Sequence, residues 1–212
     1  MTRQTFDEIA PSWYNYRHHT IFRAELEALA QRWGRGRLLN VGCGHGADFI
    51  PFKDSFELHG IDFSSGMLKQ AEKFAVKYGL TASLVEADAR QLPCADASFD
   101  WAIAVAVYHH LETEDDRLRA LREIYRVLRP GGEAFVTVWN RWQPRFWLRR
   151  RDILVPWRQR QKTLYRFYHL FSRRELAGLA RRAGFEVVAS YSKKRRRLFP
   201  RNVCLLVRKG PA

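Results

Sequence analysis

Three glycines at alternate positions, Gly42, Gly44 and Gly46, directly follow the apolar run Leu38–Val41. A strand that ends this way gives up side-chain packing and loses backbone entropy, so something must come close to the backbone there. A glycine-rich turn between a first strand and a helix is the nucleotide position of a doubly wound fold. The dinucleotide fingerprint G-x-G-x-x-G is not met; the spacing is G-x-G-x-G, which is a weak signal by itself. Two carboxylates strengthen it. Asp62 stands twenty residues after Gly42, at the end of the next apolar run, where an acid accepts from a ribose diol. Asp88 ends a third run, in "EADARQLP", placed to accept from an adenine amino group. Singly, Asp62 also suits a helix cap and Asp88 a turn. Together they stand at the carboxyl ends of strands facing one crevice, which suits an adenosine-containing ligand.

Strands and helices must alternate to hold these groups. The sequence predicts strands at 38–41, 57–61, 83–86, 99–107 and 134–139, the fourth buried on both faces. Helices are expected over 24–33, in a short turn at 47–52, from a Ser64 cap to Tyr78, and from Thr113 to Leu128, where Thr113 and Asp116 read as a capping box. Arg129–Gly132 reads as a turn into the fifth strand. This alternation implies a parallel sheet with helices on both faces. The pattern breaks at residues 140–170, a basic aromatic stretch without clear period. It resumes with a Ser172–Glu175 box, a helix over 173–183, and strands at 186–191 and 203–207.

Composition narrows the partners. The chain has 212 residues, 46% of them hydrophobic, with seven Trp and fourteen Phe, enough for one sizeable core and too short for two ordinary domains. It reads as a single domain over 1–212, with an insertion at about 140–170. No apolar run is long enough to span a bilayer, and the first ten residues have no apolar signal core. Cys43, Cys94 and Cys204 show neither a disulfide framework nor zinc spacing, which fits a reducing cytoplasm. The net charge of +15 is uneven. Residues 1–140 hold 16 basic against 19 acidic side chains, and residues 141–212 hold 21 against three. A cationic last third is the electrostatic footprint expected for a polyanion, although a solvated basic face is the plainer alternative.

The succession of glycine turn, Asp62, Asp88, "SFDWAIAVAVYHHL" and "LRPGG" resembles the class I S-adenosylmethionine-dependent methyltransferases, over roughly residues 5–139. The resemblance implies a doubly wound, Rossmann-like α/β fold, with a mainly parallel seven-stranded sheet and an antiparallel last strand. It also implies S-adenosylmethionine as cofactor, held by Gly42, Gly44, Gly46, Asp62, Phe63, Asp88, Ala89 and Ala104. The sequence departs from the family at Asn40, where an acid is usual, so the cofactor's ammonium loses a charged partner. "FDEIAPSWYNYRHH", "AVAVYHHLET", "VPW" and "YRFYHLFSRREL" together resemble the tRNA wobble-uridine methyltransferases, over nearly the whole chain. Those enzymes esterify a 5-carboxymethyl group on uridine 34. A small zinc-binding activator protein is also implied, docked along the third-strand edge at Ser83, Leu84 and Val85, since an unpaired edge invites augmentation.

The candidate substrate residues follow from that resemblance. Arg17 is expected to pair with the carboxylate or a phosphate. One of His109 and His110 is expected to donate to substrate, and the other to pack. Trp139 and Asn140 end the fifth strand, where a flipped base could stack and hydrogen bond, although Trp139 also suits plain core. Arg145, Arg149, Arg150, Arg158, Arg166, His169, Arg195, Arg196 and Arg197 are the expected RNA contacts. Methylating a carboxylate needs no general base, because the acceptor is already ionised at neutral pH. The sequence shows no evident base or nucleophile, which agrees. A class I methyltransferase acting on a small molecule, and a non-catalytic cofactor- or RNA-binding subunit, are the alternatives.

Overall fold

The computed structural model describes residues 3–16, 19–146, 148–159, 162–193 and 200–211. Two helices come first, α1 (Arg3–Tyr16) and α2 (Arg23–Trp33). α1 forms despite Pro11, because Phe6, Ile9 and Ala10 bury one stripe of it. The first half of a sheet follows: β1 (Gly36–Val41), a 3-10 turn at Ala47–Phe52, β2 (Phe56–Asp62), α3 (Ser65–Tyr78) and β3 (Ala82–Glu86). The second half is β4 (Phe99–Val105), α4 (Glu114–Val127) and β5 (Leu128–Trp139). Beyond it lie β6 (Asp152–Arg158), β7 (Thr163–His169), α5 (Arg173–Arg182), β8 (Glu186–Lys193) and β9 (Asn202–Arg208).

Seven strands make one sheet in the order β3-β2-β1-β4-β5-β9-β8. The first five run parallel, and β9 is antiparallel to both β5 and β8. The chain winds outward from β1 to β3, then returns across β1 to β4. That reversal opens a crevice at the carboxyl ends of the strands. The sheet buries both faces. Leu118, Leu121 and Ile124 of α4 and Leu176 and Leu179 of α5 pack on one side, and Leu26, Leu29 and Phe74 of α2 and α3 on the other. Ser64 caps α3 by accepting from the Met67 amide, and Ser172 and Glu175 complete a reciprocal box on α5.

Four local expectations change. Thr113 caps α4, but the Asp116 carboxylate is engaged chiefly by Arg90 and only secondarily by Thr113, so the box is not the full reciprocal one. β4 stops at Val105, because Ala106 takes φ +62° and the chain leaves the sheet. Arg129–Gly132 is a bulge within β5: Leu128 pairs with Phe99 while Glu133 pairs with Trp101. The basic stretch is ordered as a β-hairpin, β6 paired antiparallel to β7 from Asp152↔His169 to Arg158↔Thr163. α1 packs between α3 and this hairpin. Phe6, Ile9 and Met67 form a third small core, with Trp13, Trp157 and Leu164 against it. Cys43, Cys94 and Cys204 are free thiols. Among the described residues no helix is long and apolar enough to cross a membrane.

Candidate active site

A cavity of about 930 Å³ occupies the crevice. The glycine turn and the ends of β2, β3 and β4 form one wall, and α1, the end of β5 and the β6–β7 hairpin form the other. The three glycines do different work. Gly44 lines the cavity at φ +54°, and a Cβ there would meet nothing within 4 Å, so its missing side chain leaves ligand space. Gly42, at φ +66°, also lines the cavity, and it serves the fold besides: a Cβ would stand 2.5 Å from Val107 Cγ2. Gly46 does not line the cavity. At φ +89° it opens the 3-10 turn, facing Phe49, Ala71 and Phe74.

Asp62 ends β2 beneath the turn and is 6% exposed. Its Oδ2 accepts from the Gly44 amide at 2.8 Å and its Oδ1 from the Ser64 amide at 3.0 Å. Burial raises its pKa from the ordinary 3.8 to about 6; the Ser64 and Gly44 amides oppose the rise, and the nearby Asp7 carboxylate adds to it. Each oxygen still has a lone pair for a hydroxyl donor. Asp88 lies in the expected place, but its carboxylate is held by Arg90, whose Nε and Nη2 donate at 2.6–3.1 Å while Nη1 reaches Asp116 at 2.9 Å. Phe63 and Ala89 line the cavity, whereas Ala104 is wholly buried in the core, the lining starting one residue later at Val105. Asn40 is fully buried, and neither of its amide atoms has a hydrogen-bond partner among the described residues.

The opposite wall is aromatic and cationic. His109 is buried and stacks on Tyr168, with ring centroids 4.7 Å apart. His110 Nδ1 donates to the Phe167 carbonyl at 3.0 Å. Burial lowers the His110 pKa to about 3, so the ring is neutral and its Nε2 is an acceptor. It therefore cannot be the expected donor to a carboxylate. Trp139 lies 4.3 Å from Tyr168 and under the Arg145 guanidinium at 4.6 Å. Arg166 is 5% exposed and rests 4.9 Å from the Trp157 ring and 5.3 Å from that of Tyr168. Arg145 and Arg166, expected as RNA contacts, are cavity residues. Both sit where the hairpin and the loop after β5 turn inward.

Two expected residues serve the scaffold instead. Asn140 Oδ1 accepts from the Trp142 amide at 3.0 Å, its Nδ2 faces Ser192, and it does not line the cavity. His169 is buried with Nδ1 on Asp152 at 2.5 Å and Nε2 on Glu175 at 2.6 Å, tying β6 to α5. Arg149, Arg150 and Arg158 are exposed. Arg17 and Arg195–Arg197 lie outside the described residues. The sequence reading missed Trp13, Trp157, Tyr168, Arg90 and Arg201 as cavity residues. The Trp13 and Trp157 rings meet at 5.4 Å although they are far apart in the sequence, a pairing no local pattern shows.

Known proteins match this arrangement. Residues 39–136 match the model of a methyltransferase domain family. A putative methyltransferase of Encephalitozoon cuniculi is 35% identical over 159 residues, covering 71% of this chain and 70% of that protein. The tRNA (carboxymethyluridine(34)-5-O)-methyltransferase of Saccharomyces cerevisiae is 33% identical over 101 residues, 48% of this chain and 34% of that enzyme. The matches to named tRNA methyltransferases span 34% or less of those proteins. The CcbJ methyltransferase of Streptomyces caelestis superposes over all of both chains with a TM-score of 0.80 at 17% identity, a likeness of fold. The chain is an enzyme of the class I S-adenosylmethionine-dependent methyltransferases, in the family that includes the tRNA (carboxymethyluridine(34)-5-O)-methyltransferases.

Proposed function

We propose that the enzyme methylates the carboxylate of 5-carboxymethyluridine at tRNA position 34, giving a methyl ester. The observation that carries this reading is the pair of guanidinium groups, Arg145 and Arg166, set in the aromatic wall of the cavity that Gly44 and Asp62 also line. An exposed cation, Arg145, and a buried one, Arg166, lining a common space suit a carboxylate acceptor. The named tRNA methyltransferases among the relatives and the cationic last third support RNA as its carrier.

The residues present fit S-adenosylmethionine. Gly44 leaves room for the amino-acid end, Asp62 keeps a lone pair on each oxygen for ribose hydroxyls, and the Asp88–Arg90 pair stands at the end of β3 for the adenine. Asn40 offers a buried polar group but no charge. When bound, S-adenosylmethionine supplies a methyl group made electrophilic by its sulfonium. The chain's own part is alignment. Arg145 and Arg166 would hold the acceptor carboxylate, and Trp139 and Tyr168 would flank the uracil. An ionised carboxylate attacks through an oxygen lone pair and no proton moves, so His110 can stay neutral. Arg17, which lies outside the described residues, would by the family resemblance pair with the carboxylate or a phosphate.

Outside the cavity, Arg149, Arg150 and Arg158 would track phosphates; the same role is proposed for Arg195–Arg197, which lie outside the described residues. A small zinc-binding activator would sit on β3, which is the terminal strand of the sheet and leaves Val85 42% exposed beside Ser83 and Leu84. The cytoplasm, with its tRNA pool, is the compartment this reading requires. The test gives labelled cofactor and purified enzyme to bulk tRNA and, separately, to a lipid and small-metabolite extract. Label in tRNA at residue 34 supports the reading; label in small molecules overturns it. Arg166→Ala should then lower turnover much more than cofactor affinity, because alignment acts on the transition state.

A further inference from the structure

The β6–β7 hairpin has two different faces. Its inner face, with Val155, Trp157, Arg166 and Tyr168, is cavity wall. Its outer face exposes large apolar groups: Leu154 is 64% exposed and Tyr165 56%. In the register, Pro156 stands opposite Tyr165, and Leu154 opposite the half-buried Phe167. These four side chains form a contiguous apolar strip on the solvent side of a two-stranded sheet. Cations stand at both ends of it. Arg149 and Arg150 precede β6, and Arg158 closes it; all three are exposed, and none has an ion-pair partner among the described residues.

An apolar strip between unpaired cations suits one chemistry better than another. A protein partner would match the strip but would leave the three arginines unpaired unless it were acidic. A single-stranded nucleic acid matches both, with bases stacked on Tyr165 and the apolar strip and phosphates on the arginines. We infer that the outer face of the hairpin, centred on Tyr165, is a stacking platform for single-stranded RNA beside the nucleotide to be methylated. The inference rests on the RNA reading above. The same two strands then carry loop bases outside and the flipped base's aromatic and arginine wall inside.

The experiment measures binding of the full chain to a fluorescent oligouridylate and to an RNA duplex of equal charge, across a salt series, with cofactor affinity by calorimetry as the folding control. Tyr165→Ala should weaken oligouridylate binding about tenfold, the scale of one lost base–aromatic stack. Tyr165→Phe should keep it. The salt slope should stay the same in both variants, since no phosphate contact is lost, and duplex binding should change little. Arg149→Glu with Arg158→Glu should lower the slope instead. If wild-type binding is steeply salt-dependent but Tyr165→Ala binds like wild type, the platform is overturned while RNA binding stands. If wild-type protein shows no salt-dependent RNA affinity, the RNA reading itself fails. If wild-type protein is a dimer and Tyr165→Ala is monomeric with unchanged RNA affinity, the strip is a self-association surface and the inference is overturned.

Discussion

Replacing Asp62 by Asn removes a buried charge while keeping the side chain's shape. In the unfolded chain the carboxyl ionises near 3.8, and in the folded protein burial raises it to about 6. Between those values the folded state binds the extra proton, so stability falls as pH rises from about 4 to about 6 and is level above. The span of that loss is on the order of 3 kcal/mol. Asp62→Asn removes it, since the amide carries no charge. Against that gain, the carboxylate oxygens accept from the backbone amides of Gly44 and Ser64. The new NH₂ must face one of them, and a buried donor left without its acceptor costs about 1–3 kcal/mol. The two nearly offset, so at pH 7.5 the variant should keep its stability to within about 2 kcal/mol and lose the slope between pH 4 and 6. Cofactor affinity behaves differently. The ionised carboxylate makes the stronger bonds to ribose hydroxyls, each worth about 1.5–3 kcal/mol, so the variant should bind at least tenfold more weakly at pH 7.5. Wild-type affinity should itself fall as pH drops below about 6. Urea denaturation and calorimetry at pH 5 and 7.5 read both effects. A variant that binds cofactor like wild type, or one that loses more than about 4 kcal/mol at pH 7.5, would refute this reasoning.

The glycines separate by role: Gly42→Ala should cost about 1–3 kcal/mol of stability, because its Cβ drives into Val107, whereas Gly44→Ala should lose cofactor affinity with a smaller stability cost. Denaturation midpoints compared with calorimetric affinities check the contrast. Charge reversal at Arg149 and Arg150 should reduce the salt dependence of tRNA binding by roughly 0.7 log units per lost phosphate contact and leave cofactor affinity unchanged. Co-expression with a small zinc-binding activator should raise solubility and cofactor binding; a fully active monomer at micromolar concentration would remove that dependence.

The alternating architecture was legible because its central strands are largely buried and read as apolar runs, and because Ser64, Thr113 and Ser172 announce their helices. What stayed hidden depends on partners distant in sequence or on parity along a strand. α1 was obscured by Pro11, and it helps close the cavity only through Trp13 meeting Trp157. The hairpin's period was masked because its exposed face carries Leu154, Pro156 and Tyr165, as apolar as its inner face. Ala104 and Val105 are neighbours, yet one is core and the other cavity lining. His169 looked like an RNA contact until Asp152 and Glu175 closed on both ring nitrogens. Arg166 gave the reverse surprise, a cation from the basic stretch turned inward against three aromatic rings.

The central claim is the bond formed. Purified enzyme, with and without a small zinc-binding activator protein, is given methyl-labelled S-adenosylmethionine and tRNA that carries 5-carboxymethyluridine at position 34, alongside the same tRNA lacking that group. A carboxylate acceptor held by Arg145 and Arg166 predicts label on residue 34 of the modified tRNA and on none of the unmodified tRNA, released as methanol by mild alkali. Alkali-stable label on a base or ribose would contradict the ester.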